Sequence, residues 1–173
     1  MKIATISADE LTRNAIEYHS LLRDAVDHGA SIGFTVPLAE SEVADYWRGV
    51  AAEIRAGRRI LLSAHDDARR LLGAGQIALE TRSNGRHRAE IQKLLVFAGR
   101  RGGGVGTELM RALENAARAQ RRTLIYLDTS VGSSGATRLY EKLGYTAGGG
   151  IPDWAMDPDG TLRANVIYYK KLG

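Results

Sequence analysis

Apolar residues along this chain switch between a spacing of two and a spacing near three and a half, and the switches divide it into elements. Lys2 to Ile6 reads as a short strand. Ser7-Ala8-Asp9-Glu10 then sets a serine and a glutamate three apart, a capping box that opens a helix running to about His28, with Gly29 as its stop. Ala30 to Leu38 is a loop holding Ile32, Phe34 and Pro37. Val43, Trp47, Val50 and Ile54 recur at helical spacing until Gly57. Ile60 to Ala64 and Leu71 to Leu79 are strand-like runs around Asp66-Asp67, as in a hairpin, and Ser83-Asn84-Gly85 turns the chain into a third strand near Ala89 to Phe97.

Helical spacing returns with Val105, Leu109, Leu113 and Ala116. Leu124 to Leu127 is a buried type of strand, and Thr137 to Leu143 is a helix before Gly144. The last strands flank the turn sequence Asp157-Pro158-Asp159-Gly160, and Gly148-Gly149-Gly150 is a flexible or closely packed loop. The pattern is that of an α/β chain, a mixed sheet with helices packed on it.

Composition narrows the picture. With 173 residues, 44% of them hydrophobic and 25% charged, the chain has the makings of one domain over residues 1–173 with a sizeable core. It has no cysteine, so neither disulfides nor a thiolate nucleophile is available, and the expected compartment is the cytoplasm. No apolar run approaches the roughly 20 residues of a spanning helix, so no membrane partner is expected, and Met1 to Ile6 is too short for a signal peptide.

The 24 Lys and Arg against 20 Asp and Glu give a net charge of +4, which suits an anionic ligand. The arginine pairs are scattered, however, and with 6% aromatic residues stacking platforms are few, so nucleic acid is not an expected partner. His19, His28, His65 and His87 lack metal-ligand spacing, and neither a Gly-x-Ser-x-Gly elbow nor a P-loop is present, so no metal is expected.

The most informative stretch is Ile91 to Gly106, where Leu94-Leu95-Val96 feeds into Arg100-Arg101-Gly102-Gly103-Gly104-Val105-Gly106 and then a helix. A strand, a glycine turn and a helix N-terminus form an anion cradle. The first helical N–H groups are unpaired and partially positive, and glycine lets a phosphate approach the main chain.

Arg101-Gly102-Gly103-Gly104-Val105-Gly106 fits the pattern Gln/Arg-x-x-Gly-x-Gly/Ala, and it follows Ile91-x-x-Leu94-x-Val96 and precedes Ala136-x-x-x-Tyr140-x-x-x-Gly144-Tyr145. In these signatures the chain resembles the GNAT superfamily of acetyl-CoA-dependent N-acetyltransferases. Gly29-Ala30-Ser31-Ile32-Gly33-Phe34, Arg88 to Leu94, Leu127-Asp128-Thr129 and Pro158-Asp159-Gly160 are most similar to the tabtoxin-resistance type, which acetylates the free amine of a β-lactam amino-acid toxin. Three positions depart from the superfamily: Gly103 where Lys or Arg is common, Ser133 where Asn often contacts coenzyme A, and Ala98 where proline often follows the strand. Arg100 and Arg101 are an alternative source of charge for the first.

The resemblance implies a single domain with a mixed, mostly antiparallel sheet of about six to seven strands, splayed at the acetyl-CoA strand and flanked by about four helices. It implies acetyl-CoA as co-substrate and a small-molecule amine as acceptor. Cofactor contacts fall to Leu94, Leu95 and Val96 through their main chain, to Arg101, Gly102, Gly103, Gly104, Val105, Gly106 and Thr107, and to Ser133 and Ala136. Glu90 and Asp128 are the implied catalytic acids on neighbouring strands. They remove a proton from an ammonium of ordinary pKa about 10.4, directly or through water. Tyr140 is the implied acid for the leaving thiolate, and a backbone N–H near Leu95 or Val96 polarises the thioester. Gln92 and Phe34 are candidate acceptor contacts, with Trp154 a further pocket aromatic.

Without the resemblance, the favoured reading is that Glu90 pairs with Arg88 or Lys93 and that Asp128 caps a loop. Two other readings stand beside the leading one: a non-catalytic acyl-CoA sensor, and an acetyltransferase acting on a peptide or protein amine. The sequence leaves the oligomeric state open.

Overall fold

Ser7 and Glu10 form the expected capping box. The Ser7 hydroxyl accepts from the Glu10 N–H at 3.2 Å, and the Glu10 carboxylate accepts from the Ser7 N–H at 2.9 Å. The computed structural model to which these distances belong describes residues 1–132, 134–157 and 160–173. Ser133, an expected coenzyme A contact, and the Pro158-Asp159 part of the last turn lie outside the described residues.

The elements are β1 (Lys2–Ile6), α1 (Ala8–Arg13), α2 (Ala15–Asp27), α3 (Glu40–Arg55), β2 (Arg59–His65), β3 (Leu71–Leu79), β4 (Arg88–Val96), α4 (Val105–Ala119), β5 (Leu124–Ser130), α5 (Ser134–Lys142), β6 (Thr146–Ala147), β7 (Ala155–Met156), β8 (Leu162–Arg163) and β9 (Asn165–Lys171). The first helix is not continuous to His28 as its pattern predicts. Asn14, at φ −105° and ψ 23°, ends α1 and begins α2. Asparagine is a poor interior helix residue, and the break turns Leu11 of α1 and Tyr18, Leu21 and Leu22 of α2 together against Val43, Trp47 and Val50 of α3.

The main sheet has the order β1-β2-β3-β4-β5-β9-β6, antiparallel except where β4 meets β5. That parallel pairing covers only Arg88, Ala89 and Glu90 against Leu124, Ile125 and Tyr126. Beyond Glu90 the two strands part, which is the splay expected from the resemblance. β7 and β8 form a separate two-stranded ribbon around the last turn.

Two cores lie on opposite faces of the sheet. One packs Leu109, Met110 and Leu113 of α4 on Ile77, Ala89, Ile91, Ile125 and Leu127; the other packs α1, α2 and α3 on Leu61, Ala74 and Leu95. The triple-glycine loop is closely packed. A Cβ at Gly150 would lie 1.9 Å from the Asn165 carbonyl oxygen, while the Gly148 N–H donates to Ile167 and the Ile167 N–H to Gly149.

Candidate active site

A break in strand alternation builds the site. Glu90 and Gln92 face the α3 side of the sheet, Gln92 touching Arg59 of β2, while Ile91 points to the α4 core. Lys93 then takes φ +48°, and the β3–β4 register slips between Ala74 opposite Leu95 and Gln76 opposite Gln92. This is a β-bulge. It sends Leu94 to the α4 core and Leu95 to the α3 core, the reverse of unbroken alternation, and leaves Lys93 on the side of Glu90 and Gln92.

A cleft of about 1100 Å³ opens at the splay. It brings together Phe34, Glu90, Gln92, Leu94, Asp128, Ala136 and Tyr140, with Trp154 also on its wall. Glu90 is half-buried and Asp128 exposed to the cleft. Neither has an ion pair among the described residues; Arg88 pairs instead with Glu80 at 3.1 Å. Glu90 faces Tyr126, whose phenol is raised above its ordinary pKa chiefly by burial and next by that carboxylate. Tyr140 is buried, with ring centroids 5.6 Å from Tyr168 and 6.1 Å from Tyr145. Burial, with a smaller contribution from Asp128, pushes its phenol up to about 12, so it remains an O–H donor through the neutral range.

Leu95 is 2% exposed, so its side chain is core and only its main chain is available to a ligand. Arg101 to Gly104 form the turn after β4, and Val105, Gly106 and Thr107 the first turn of α4. The Arg101 Nε donates to the Val96 carbonyl at 3.2 Å, and the Ala98 N–H donates to the Asp24 carboxylate at 2.8 Å, tying this turn to β4 and α2. Gly104 is the residue before α4, at φ +83°, where side-chain-bearing residues are strained. It supplies no side-chain cap, and a Cβ there would meet nothing within 4 Å. At Gly104 the start of α4 is thus bare of side chain, which fits the approach of a pyrophosphate to its leading N–H groups.

Four cleft-side residues were missed by sequence reasoning. The Arg59 Nη1 donates to the Gln76 and Gln92 amide oxygens at 2.6 and 2.7 Å, and the Gln76 Nε2 donates to the Tyr46 hydroxyl at 2.8 Å. Lys93 is the fourth, its ammonium held below the ordinary lysine range by burial, with Asp128 opposing, Arg59 reinforcing and Glu90 opposing. Gln76 carried a usable signal, an amide in the middle of the apolar run Leu71 to Leu79. Among the described residues no cluster of three or more His, Asp or Glu is set to hold a metal ion, and no helix is long and apolar enough to cross a membrane.

A splayed strand thus leads into a helix N-terminus beside a cleft lined by Glu90, Asp128 and Tyr140. The model of the acetyltransferase (GNAT) family matches residues 20–145, and the chain belongs to that family. It is 30% identical over 88 residues to the IAA acetyltransferase of Azospirillum brasilense, a match over 51% of this chain and 56% of that protein. The chain thus spans little more than half the length of that curated relative. Among solved structures, the ribosomal-protein-alanine N-acetyltransferase of Brucella melitensis superposes with a TM-score of 0.82 at 18% identity, covering 99% of this chain and 100% of that one. YncA of Salmonella typhimurium, solved with its cofactor acetyl-CoA, gives 0.81 at 17% identity over 100% and 94% of the two chains. At these identities the likeness is one of fold.

Proposed function

We propose that the whole chain, residues 1–173, acts as one domain, an acetyl-CoA-dependent N-acetyltransferase of the cytoplasm that modifies a primary amine of a small molecule. The observation that carries this reading is the convergence of Glu90, Asp128 and Tyr140 on the cleft at the β4–β5 splay, in a chain of the acetyltransferase (GNAT) family.

The bare first turn of α4 and the Arg101-to-Gly104 turn hold the pyrophosphate, and the free edge of β4 from Leu94 to Val96 takes the pantetheine arm through its main chain. Acetyl-CoA, when bound, supplies the electrophilic thioester. Glu90 and Asp128 attract the cationic amine and take its proton, freeing the lone pair for attack on the carbonyl carbon. A main-chain N–H near Leu95 or Val96 meets the charge that develops on the carbonyl oxygen. As the carbon–sulfur bond breaks, Tyr140 donates its hydroxyl proton to the leaving sulfur, and the second proton released by the newly bonded nitrogen restores the phenol, so that an amide and a thiol leave the site. Attack is direct, since the chain has no cysteine to carry the acyl group. Gln92 and Phe34 border the acceptor; Phe34 is braced edge-on against Tyr46 at 5.4 Å.

Within this reading the acceptor is the free amine of a β-lactam amino acid, on the resemblance of Arg88 to Leu94 and Leu127-Asp128-Thr129 to the tabtoxin-resistance type. Mass spectrometry of acetyl-CoA-dependent acetylation across that amino acid, ordinary amino acids, polyamines, aminoglycosides and short peptides tests it. Turnover of the β-lactam amine with kcat/KM above roughly 10⁴ M⁻¹s⁻¹ supports a resistance enzyme. Turnover of another class keeps the acetyltransferase and discards the toxin. Acetyl-CoA binding with no turnover of any member turns the assignment to an acyl-CoA sensor.

Tyr140→Phe keeps the ring packed on Tyr145 and Tyr168 and removes only the hydroxyl. It is expected to lower kcat by about 10²-fold with acetyl-CoA affinity retained. Full turnover in that variant would limit Tyr140 to packing.

A further inference from the structure

Beside Glu90 and Asp128 the cleft holds two cations, Arg59 and Lys93, and neither is in an ion pair among the described residues; Asp128 and Glu90 act on Lys93, and Glu53 on Arg59, only through their fields. Arg59 is fixed by neutral groups: its Nη1 donates to the amide oxygens of Gln76 and Gln92, and Gln76, fully buried, is itself locked by its donation to Tyr46. The Arg59 Nε is buried with no hydrogen-bond partner, and Arg59 has no ion pair among the described residues. Lys93, aimed at the loop after α2, has its Nζ 3.9 Å from where a Cβ on Gly33 would stand. It likewise has neither an ion pair nor a hydrogen bond among the described residues.

Three other carboxylates line the same cleft, Asp45, Glu53 and Asp157, and each is already engaged from outside, Asp157 by Arg163 at 2.7 Å. Asp45 pairs with Arg48, and Glu53 takes Arg58 in a two-pronged contact at 2.6 and 3.0 Å. A half-buried guanidinium held in place by amides rather than neutralised by a bonded carboxylate is costly to maintain unless an anion meets its cleft-facing side. Guanidinium and ammonium groups match the oxygens of a carboxylate.

We infer that Arg59 and Lys93 form a carboxylate subsite, so that the acceptor is an amino acid whose carboxylate seats there while its ammonium faces Glu90 and Asp128. The inference rests on the acetyltransferase reading for those two acids and adds the residues that select the acceptor. The cleft then presents paired opposite charges to a zwitterion. A plain amine loses one half of the match and leaves Arg59 and Lys93 unmet.

The test uses acceptors that differ at the carboxylate alone: lysine with cadaverine, phenylalanine with phenethylamine, and methionine with methioninamide. The carboxylate-bearing member is expected to have a kcat/KM about ten- to a hundred-fold higher, the ratio carried by KM. In Arg59→Gln and, separately, Lys93→Gln that ratio shrinks toward one. Lys93→Gln removes a side chain with no bonds of its own, so the test survives if Arg59→Gln fails to fold. Calorimetry in the presence of coenzyme A gives a readout free of turnover: N-acetylmethionine binds wild type about ten-fold tighter than N-acetylmethioninamide, and both variants erase the difference.

Equal use of the paired acceptors, a ratio unchanged in both variants, or equal or no binding of the two N-acetyl compounds overturns the subsite. Acetyl-CoA titrated in the same instrument reports separately on the acetyltransferase reading. That reading stands if amines are acetylated without regard to the carboxylate, and it falls if acetyl-CoA does not bind.

Discussion

Glu90→Gln combined with Asp128→Asn is expected to lower kcat by about 10²–10⁴-fold while leaving acetyl-CoA affinity nearly intact. An alkylammonium of pKa about 10.4 is neutral in roughly one molecule in 2,500 at pH 7, so turnover depends on a group that takes the proton. Both carboxylates are free for that work. They project from the same face of the sheet as Gln92 and Arg59, and neither is held in an ion pair among the described residues. The amides keep size and lose the charge and the basicity, one acceptor oxygen becoming an N–H donor. Stopped-assay kinetics together with acetyl-CoA calorimetry check the prediction, and unchanged turnover would remove both residues as the base. A fall in melting temperature with activity per folded molecule preserved would assign them to structure.

Lys170→Met is the substitution expected to cost the most stability. Glu114, 5% exposed on α4, receives the Lys170 ammonium at 2.8 and 2.9 Å on its two oxygens, and the same ammonium donates to the Leu143 carbonyl at 2.7 Å. It also lies 5.4 Å from the centre of the Tyr145 ring. Removing it leaves a buried carboxylate whose one remaining ion pair among the described residues is Arg118 at 3.8 Å. The expected loss is about 3–5 kcal/mol, a fall in melting temperature of roughly 6–20 °C for a chain of this size. Glu114→Leu added to Lys170→Met is expected to recover most of it, because an apolar pair needs no solvation. Thermal denaturation of the two variants beside wild type decides the matter; a single variant as stable as wild type would mean the pair contributes nothing. The contact joins β9 to the helix whose other end is the proposed phosphate cradle, so on that reading the single variant is also expected to weaken acetyl-CoA binding as it loosens α4.

Local signals carried much of the architecture. The Ser7–Glu10 box, the stops at Gly29 and Gly57, the hairpin at Asp66 and the glycine turn before α4 each act within a few residues, and each is found where its pattern put it. The divided first helix was less legible. Its apolar spacing runs on through Asn14, and the reason to break there is the packing of two short stripes on α3. β6 and β8 hold two residues each, too short for an alternating pattern to register.

Glu90, Asp128, Tyr140, Gln92 and Phe34 were legible as candidates through the motifs around them, whereas Arg59, Gln76, Tyr46 and Lys93 were not. Arg59 and Gln76 sit on strands whose faces are decided by pairing, and Tyr46 reaches them from a helix thirty residues away from Gln76 in sequence. Lys93 is the sharpest case. Alternation from Gln92 sends it to the α4 core, and only the bulge opposite Ala74 and Gln76 turns it into the cleft.

The sequence by itself determined most of the longer elements, the Ser7 cap, the glycine turn before α4 and the family resemblance, because propensity, capping and glycine conformation are properties of a few adjacent residues. Tertiary structure alone decided where β4 and β5 part, which way Lys93 points and which charges lack partners. Register, bulges and ion pairing are contests among residues far apart in the chain, settled only when the strands and helices meet.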